Sequence, residues 1–289
     1  MKNIKRRILK LIKICVIIFV FLSTCLVYSF IEPYLVQEKT TIISDSDVPQ
    51  NFVGKKIVFV SDIHHGQNFE RDRVAGLVKK VNELDPDIVI LGGDYVSGST
   101  EYIEPCFEEL SRLNAKMGVF GVTGNHDEWA DYNLTVKCME NAGITALNDR
   151  AEWLEIGRDR IKIAGVDWHT DWQFNSESDM GSLINDTEEN DFVILVSHTP
   201  DFAEELNTDK IDLVLSGHTH GGQITFFGLW ALYVPSSYGQ KYRTGIVNTD
   251  KTRVLVSNGI GNTFLPIRFF ARPQINIVVL ENGKKTTGF

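Results

Sequence analysis

The chain is poor in cysteine and, beyond its first segment, in positive charge. Four cysteines in 289 residues cannot frame a small disulfide-stapled domain. Cys15 and Cys25 lie ten residues apart in one apolar segment, about 15 Å along a helix axis, and cannot pair with each other. Cys106 and Cys138 sit in helix-like segments and read as buried apolar residues rather than ligands. No internal repeat and no low-complexity tract interrupts the sequence. Beyond the first thirty residues, roughly 240–260 remain for folded structure, enough for one large α/β domain or two small ones.

The shortage of positive charge is local. Residues 1–31 carry six basic side chains (Lys2, Lys5, Arg6, Arg7, Lys10, Lys13) and no acidic one. Of the 29 basic residues only 23 are left to face all 38 acidic ones, a formal charge of −15. Such a domain is a poor binder of nucleic acid, which depends on Lys and Arg neutralising phosphates, and no nucleic-acid partner is expected. An anionic substrate would need another source of positive charge, and bound cations could supply it.

What is present begins with "ICVIIFVFLSTCLVYSFI", eighteen residues from Ile14 to Ile31 without a charge. At 1.5 Å per residue this just spans a hydrocarbon core of about 30 Å. The basic cluster before it predicts a cytoplasmic N-terminus, a single pass and an extracytoplasmic remainder at the cell membrane. A cleaved signal peptide is the competing reading, but its apolar region would be shorter and no A-x-A-like site follows. Residues 32–54 read as a polar connector with one strand around "TTIIS", and 55–289 as the folded domain.

Within that domain apolar runs alternate with amphipathic segments. "KKIVFV", "PDIVIL" and "GVFGV" read as buried strands, and "RDRVAGLVKKVNEL" has Val74, Leu77, Val78 and Val81 at helical spacing. The alternation predicts a parallel sheet in the first half. Hairpin-like strands in the second half predict a mixed sheet packed against it. The fold class is α/β, a two-sheet mixed sandwich flanked by helices, with no internal linker.

Five polar clusters follow apolar strands: "SDIHHG" (Asp62, His64), "GGDYV" (Asp94), "GNHD" (Asn125, His126), "SHTPD" (His198) and "SGHTH" (His218, His220). Five of the seven histidines are candidates in these clusters; His65, next to His64, and His169 are the exceptions. Loops at the carboxyl ends of strands are where open α/β sheets bind ligands. Each cluster alone is an ordinary turn or helix cap, and their joint occurrence carries the signal. Imidazole and carboxylate donors without thiolates suit Mn²⁺, Fe²⁺ or Zn²⁺. The donors exceed what one ion needs and match a pair about 3.5–4 Å apart.

D-x-H, G-D, G-N-H-D, a lone His and G-H-x-H, in this order from about Lys56 to Gln223, resemble the calcineurin-like metallophosphoesterase superfamily. "GDYV", "SHTPD", "SGHTHGGQ" and "YGQKYRTG" are similar to its bacterial membrane-anchored phosphohydrolase branch. The resemblance implies one ion held by Asp62, His64 and His220, a second by Asn125, His198 and His218, and Asp94 bridging both. It makes residues 55–289 the metallophosphoesterase domain, of αββα type, and His126 a phosphate-contacting residue that assists the leaving group. In the Ser/Thr protein phosphatases of the superfamily "GDYV" continues into Asp-Arg, whereas here it continues into Ser97, Gly98 and Ser99. The phosphate-clamping arginine and the acid that orients the histidine are absent, and Asp127 becomes the candidate partner of His126.

The expected activity is hydrolysis of phosphodiester or pyrophosphate bonds at the outer membrane face, lipid-linked substrates included. Alternatives are a general phosphomonoesterase or nucleotide phosphodiesterase at the cell surface, a non-catalytic metal-binding module, and an adhesin with incidental histidines. Two apolar segments, "FFGLWALYVP" (226–235) and "FLPIRFF" (264–270), read first as packing under a loop. Their second reading is a rim that touches lipid.

Overall fold

A computed structural model describes residues 2–168 and 178–284 of the chain; His169 lies outside them. The chain opens with helix α1 (Lys2–Ile31). A helix packed in a core buries at least one stripe of side chains. This one leaves its apolar residues exposed along nearly its whole length, and it is long and apolar enough to cross a membrane. Only its end is buried, at Ser29 and then Glu32.

Strand β1 (Gln37–Asp45) follows, and then the expected rhythm: β2 (Lys56–Val60), α2 (Arg71–Glu83), β3 (Ile88–Leu91), α3 (Ile103–Leu110), β4 (Val119–Gly121), α4 (Asn125–Asn141) and β5 (Ile144–Ala146). The second half runs through β6 (Arg150–Ile156), β7 (Asp159–Gly165), β8 (Phe192–Val196), β9 (Leu213–Ser216), β10 (Thr225–Phe226), β11 (Trp230–Ala231), β12 (Gly245–Asn248), β13 (Arg253–Val256) and β14 (Gln274–Asn282). Short helices Ser178–Ile184 and Phe202–Glu205 flank β8.

Two six-stranded sheets result, ordered β1-β14-β2-β3-β4-β5 and β12-β13-β9-β8-β7-β6. The first is not purely parallel, as the strand–helix alternation predicted. β14, from the far end of the chain, enters antiparallel to β2 and parallel to β1, with nine residue pairs to β1. The second sheet is parallel through β7, β8, β9 and β13, and antiparallel only at its β6 and β12 edges. The two sheets therefore share one plan, four parallel strands extended by antiparallel neighbours.

Central parallel strands are covered on both faces and so read as unbroken apolar runs. Alternate side chains then serve different layers. In β2, Ile57 and Phe59 join the core between the sheets, while Val58 and Val60 pack under α2 and α3. In β8, Phe192, Ile194 and Val196 face that same core, and Val193 and Leu195 turn to the opposite layer. Val74, Leu77, Val78 and Val81 of α2 are buried as their spacing required. At the amino end of β13, the buried Arg253 guanidinium pairs with Asp45 of β1 and donates to the Ser44 carbonyl at 2.8 Å. It also donates to the Asp212 carbonyl at 3.3 Å, tying the sheets together at the end away from the polar clusters.

Candidate metal centre

Parallel strands of both sheets end on the same edge of the sandwich, and their following loops meet there. From the first sheet come Asp62 and His64 after β2, Asp94 after β3, and Asn125 with His126 after β4. From the second come His198 after β8 and His218 with His220 after β9.

Five of these residues adopt the left-handed backbone region: Asp62 (φ 54°), His64 (50°), Asp94 (56°), His218 (65°) and His220 (52°). Non-glycine residues held there cost of order 1–3 kcal/mol each and persist where surroundings over-determine them. Here the loops brace one another. Asp62 N–H donates to Gly93 O at 2.9 Å and His64 N–H to Asp94 O at 3.0 Å. His218 N–H donates to Asp62 Oδ1 at 2.9 Å. Two glycines of the motifs are there for space. A Cβ on Gly124 would lie 2.3 Å from Asp94 Oδ1, and one on Gly217 2.3 Å from Asp62 Oδ2.

The side chains converge as two overlapping sets. In the first, His64 Nε2 is 3.1 Å from His220 Nε2, and His220 Nε2 is 3.4 Å from Asp62 Oδ1. In the second, His198 Nε2 is 3.2 Å from both Asn125 Oδ1 and His218 Nδ1. Asp94 Oδ2 stands between them, 3.4 Å from His64 Nε2 and 3.3 Å from His198 Nε2. Its Oδ1 accepts the His126 N–H at 2.8 Å, which fixes the carboxylate. His198 Nδ1 donates to Gly92 O at 2.7 Å, leaving Nε2 to face the cluster. Fixing a histidine tautomer through its second nitrogen is how metal-binding imidazoles are oriented.

Burial governs the charges. It holds His64 and His218 down to about 3 and His220 well below its ordinary value, so all three are free bases at neutral pH. Burial also opposes charge on His198, but Asp94 beside it outweighs this and lifts it to about 10. Burial would likewise raise Asp94, yet His198 and His64 keep it well below the usual carboxylate range. Asp62 is pushed up to about 6, by burial first and by Asp94 among its neighbours. Four imidazoles, two carboxylates and an amide crowd together with little protonation to separate their lone pairs. Cations resolve that crowding, and the donor types fit divalent ions. Asp62, His64 and His220 form one group whose ligand atoms lie within 4.8 Å of one another, and Asp94, His198 and His218 form another.

His126 sits at the rim, half-buried, its ring 4.6 Å from that of His64 and 4.6 Å from that of Trp129. Its Nδ1 is buried without a hydrogen-bond partner among the described residues. Asp127, the candidate partner, points elsewhere. Its carboxylate accepts the backbone N–H groups of Asp94 (2.7 Å), Tyr95 (2.8 Å) and Gly124 (2.9 Å). It caps α4 and fixes the loop that presents Asp94, because a buried carboxylate takes the nearest orphan amides. Burial and Asp94 together push it up to about 7. "GNHD" is accordingly the start of a helix.

Several contributors escaped the sequence reading. Trp168 lies against the rings of His198 (5.8 Å) and His218 (5.4 Å). The Thr263 hydroxyl is 2.8 Å from His220 Nε2. "SNGIGN", after β13, packs behind Asp62: Gly261 N–H donates to Asp62 O at 2.6 Å. It is a sixth strand-end cluster, and the rule that found the other five would have found it. Arg268, inside a segment read as apolar, is fully buried. It donates to the carbonyls of Asn258 (2.8 Å), Gly261 (2.5 Å) and Ala271 (2.7 Å), which holds this loop in place.

This fold and these donors define a metal-dependent phosphoester hydrolase. The chain belongs to the calcineurin-like phosphoesterase family, whose model matches residues 55–222, more than half of its length. It is 31% identical over 257 residues to an uncharacterised metallophosphoesterase of Bacillus subtilis, YkuE, covering 88% of each chain. An uncharacterised metallophosphoesterase of Aquifex aeolicus is 31% identical over 266 residues, covering 88% of this chain and 95% of the other. A zebrafish (Danio rerio) transmembrane protein with a metallophosphoesterase domain is 30% identical over 245 residues, covering 82% of this chain but 55% of that protein.

Proposed function

We propose that the protein hydrolyses phosphodiester or pyrophosphate bonds at the outer face of a membrane, with lipid-linked substrates among its targets. Asp62, His64 and His220 hold one divalent ion; Asn125, His198 and His218 hold a second; Asp94 belongs to both. The observation that carries this reading is the place of Asp94 Oδ2, within 3.4 Å of one imidazole from each set. Bound ions supply a field that lowers the pKa of water and offsets charge on phosphoryl oxygens.

The chain's own residues do the rest. The buried cluster excludes bulk water behind the ions, and the braced loops hold the donors in place before substrate arrives. His126, half-buried at the rim beside His64, donates a proton to the departing oxygen. No arginine follows Asp94 to clamp a second phosphate oxygen, since Ser97, Gly98 and Ser99 occupy that stretch. α1 supplies the membrane placement: it crosses once, with the basic end cytoplasmic and residues 55–289 outside.

Turnover of monoesters, diesters and lipid pyrophosphates by the full chain in detergent, with Mn²⁺, Fe²⁺ or Zn²⁺, tests the reading. Diesters or lipid pyrophosphates are expected to exceed monoesters. A monoester preference would establish the general phosphomonoesterase instead. His126→Ala is expected to keep its metal and to slow about 10²–10⁴-fold, less so with a good leaving group. Loss of both ions would remove its assigned role.

A further inference from the structure

The two apolar segments past the last histidine are not packed under a loop. Leu229 is 78% exposed, Leu232 82% and Phe264 89%, with Phe226 and Tyr233 also largely bare. From Ile224 to Tyr238 no residue carries a charge, in a chain that is 23% charged. Exposed apolar surface of this extent marks an interaction site.

Its position beside α1 identifies the partner. Phe227, at the tip of the β10–β11 hairpin, lies 6.4 Å ring to ring from Phe21. Tyr28 meets Phe269 at 6.0 Å and Phe270 at 5.5 Å. The Glu32 carboxylate then accepts the N–H groups of Phe270 and Ala271, both at 2.6 Å, and locks the helix end to the domain. Phe21 precedes Ile31 by ten residues, about 15 Å along the axis, which is about half of a hydrocarbon core. Whatever surrounds Phe21 also surrounds the hairpin tip.

The hairpin backbone is prepared for such surroundings. In hydrocarbon every peptide group must find its partner inside the protein. The Gly228 N–H donates to Thr225 Oγ1 (2.8 Å), the Leu229 N–H to Phe226 O (3.0 Å) and the Ala231 N–H to Gln240 Oε1 (3.0 Å). Gln240 Nε2 donates to Ala231 O (2.7 Å) and Arg243 to Gly228 O (2.8 Å). Side chains close a two-pair ladder that is too short to satisfy itself.

We propose that the β10–β11 hairpin and the Phe264–Leu265 loop are embedded in the lipid leaflet that α1 enters, so that the donor cluster opens at headgroup level. The link to the site is short. Gln223, three residues after His220, binds Thr263 O through Nε2 (3.0 Å) and accepts the Thr263 N–H (2.9 Å). The Thr263 hydroxyl touches His220, and Phe264 is the next residue. The proposal rests on the reading that α1 crosses the membrane, and it deepens that reading by placing the site against the lipid.

The test uses the full chain in phosphatidylcholine vesicles with and without brominated acyl chains. Bromine is expected to quench Trp230, and Trp230→Phe to remove the greater part of the quenching. Leu229→Glu combined with Leu232→Glu is expected to lower it while turnover of a soluble phosphate ester is retained. Native quenching that is absent, or unchanged in Trp230→Phe, overturns the proposal. An alkaline carbonate wash separates the two ideas. A native chain that stays with the vesicles without Trp230 quenching defeats the embedded hairpin alone. A native chain washed off the vesicles defeats the crossing helix and the hairpin with it.

Discussion

The two sheets share a strand plan but bring different chemistry to the edge where they meet. The first sheet delivers both carboxylates and the amide, with His64 the one imidazole it places among the donors. The second delivers imidazoles only, His198, His218 and His220. Neither donor set lies on one sheet: Asp62 and His64 need His220 from across the seam, and Asn125 needs His198 and His218. Donors kept on separate frameworks meet only when the sandwich closes. The proposed metal site is thus a product of sheet packing, and bound ions would in turn stabilise that packing.

The comparison can be broken most severely at the residue shared by both sets. Asp94→Asn is expected to lose bound metal together with phosphoesterase activity, by about 10²–10³-fold or more, as read by elemental analysis and turnover. Next comes the tie at the far end of the seam. Arg253→Met removes the guanidinium that pairs with the buried Asp45 carboxylate, an expected loss of about 3–5 kcal/mol in denaturant unfolding, with metal content unchanged while the chain remains folded. A smaller effect tests the steric role of glycine. Gly217→Ala forces the Asp62 carboxylate away and is expected to weaken metal binding about 10–100-fold in a titration, leaving the fold intact.

The smallest change concerns Tyr132 of α4, whose hydroxyl donates to Asp167, just past β7, at 2.5 Å across the same seam. Burial and this carboxylate push the phenol up to about 12 from its ordinary 10.0. A raised folded value means that the stabilisation is fully present below pH 10 and disappears as pH climbs to 12. Tyr132→Phe is therefore expected to cost about 1 kcal/mol at neutral pH. The gap from the native chain should close between pH 10 and 12 in parallel unfolding curves.

Much of this was legible in the sequence because strand ends advertise themselves. An unbroken apolar run followed by Asp, His or Asn marks both a buried parallel strand and the loop beyond it, so five clusters could be placed before any coordinates. β14 could not be placed, because a strand's neighbours are set by long-range pairing and its own residues do not name them. Asp127 was misread for a related reason: adjacency to His126 in the chain says nothing about direction, and at a helix start the free amides lie the other way. Arg268 was hidden by its apolar neighbours, since a buried guanidinium satisfied by carbonyls leaves no acidic partner in the pattern. The hairpin, read first as packing under a loop, is exposed instead, because apolar composition alone does not tell whether the protein itself covers a segment.

Metal content across the seam tests the central claim most directly. The native chain is expected to hold two ions. Asp62→Ala and His220→Ala remove donors from opposite sheets, yet each is expected to lose the same single ion and to keep the one held by Asn125, His198 and His218. Two ions retained in either variant would contradict the account.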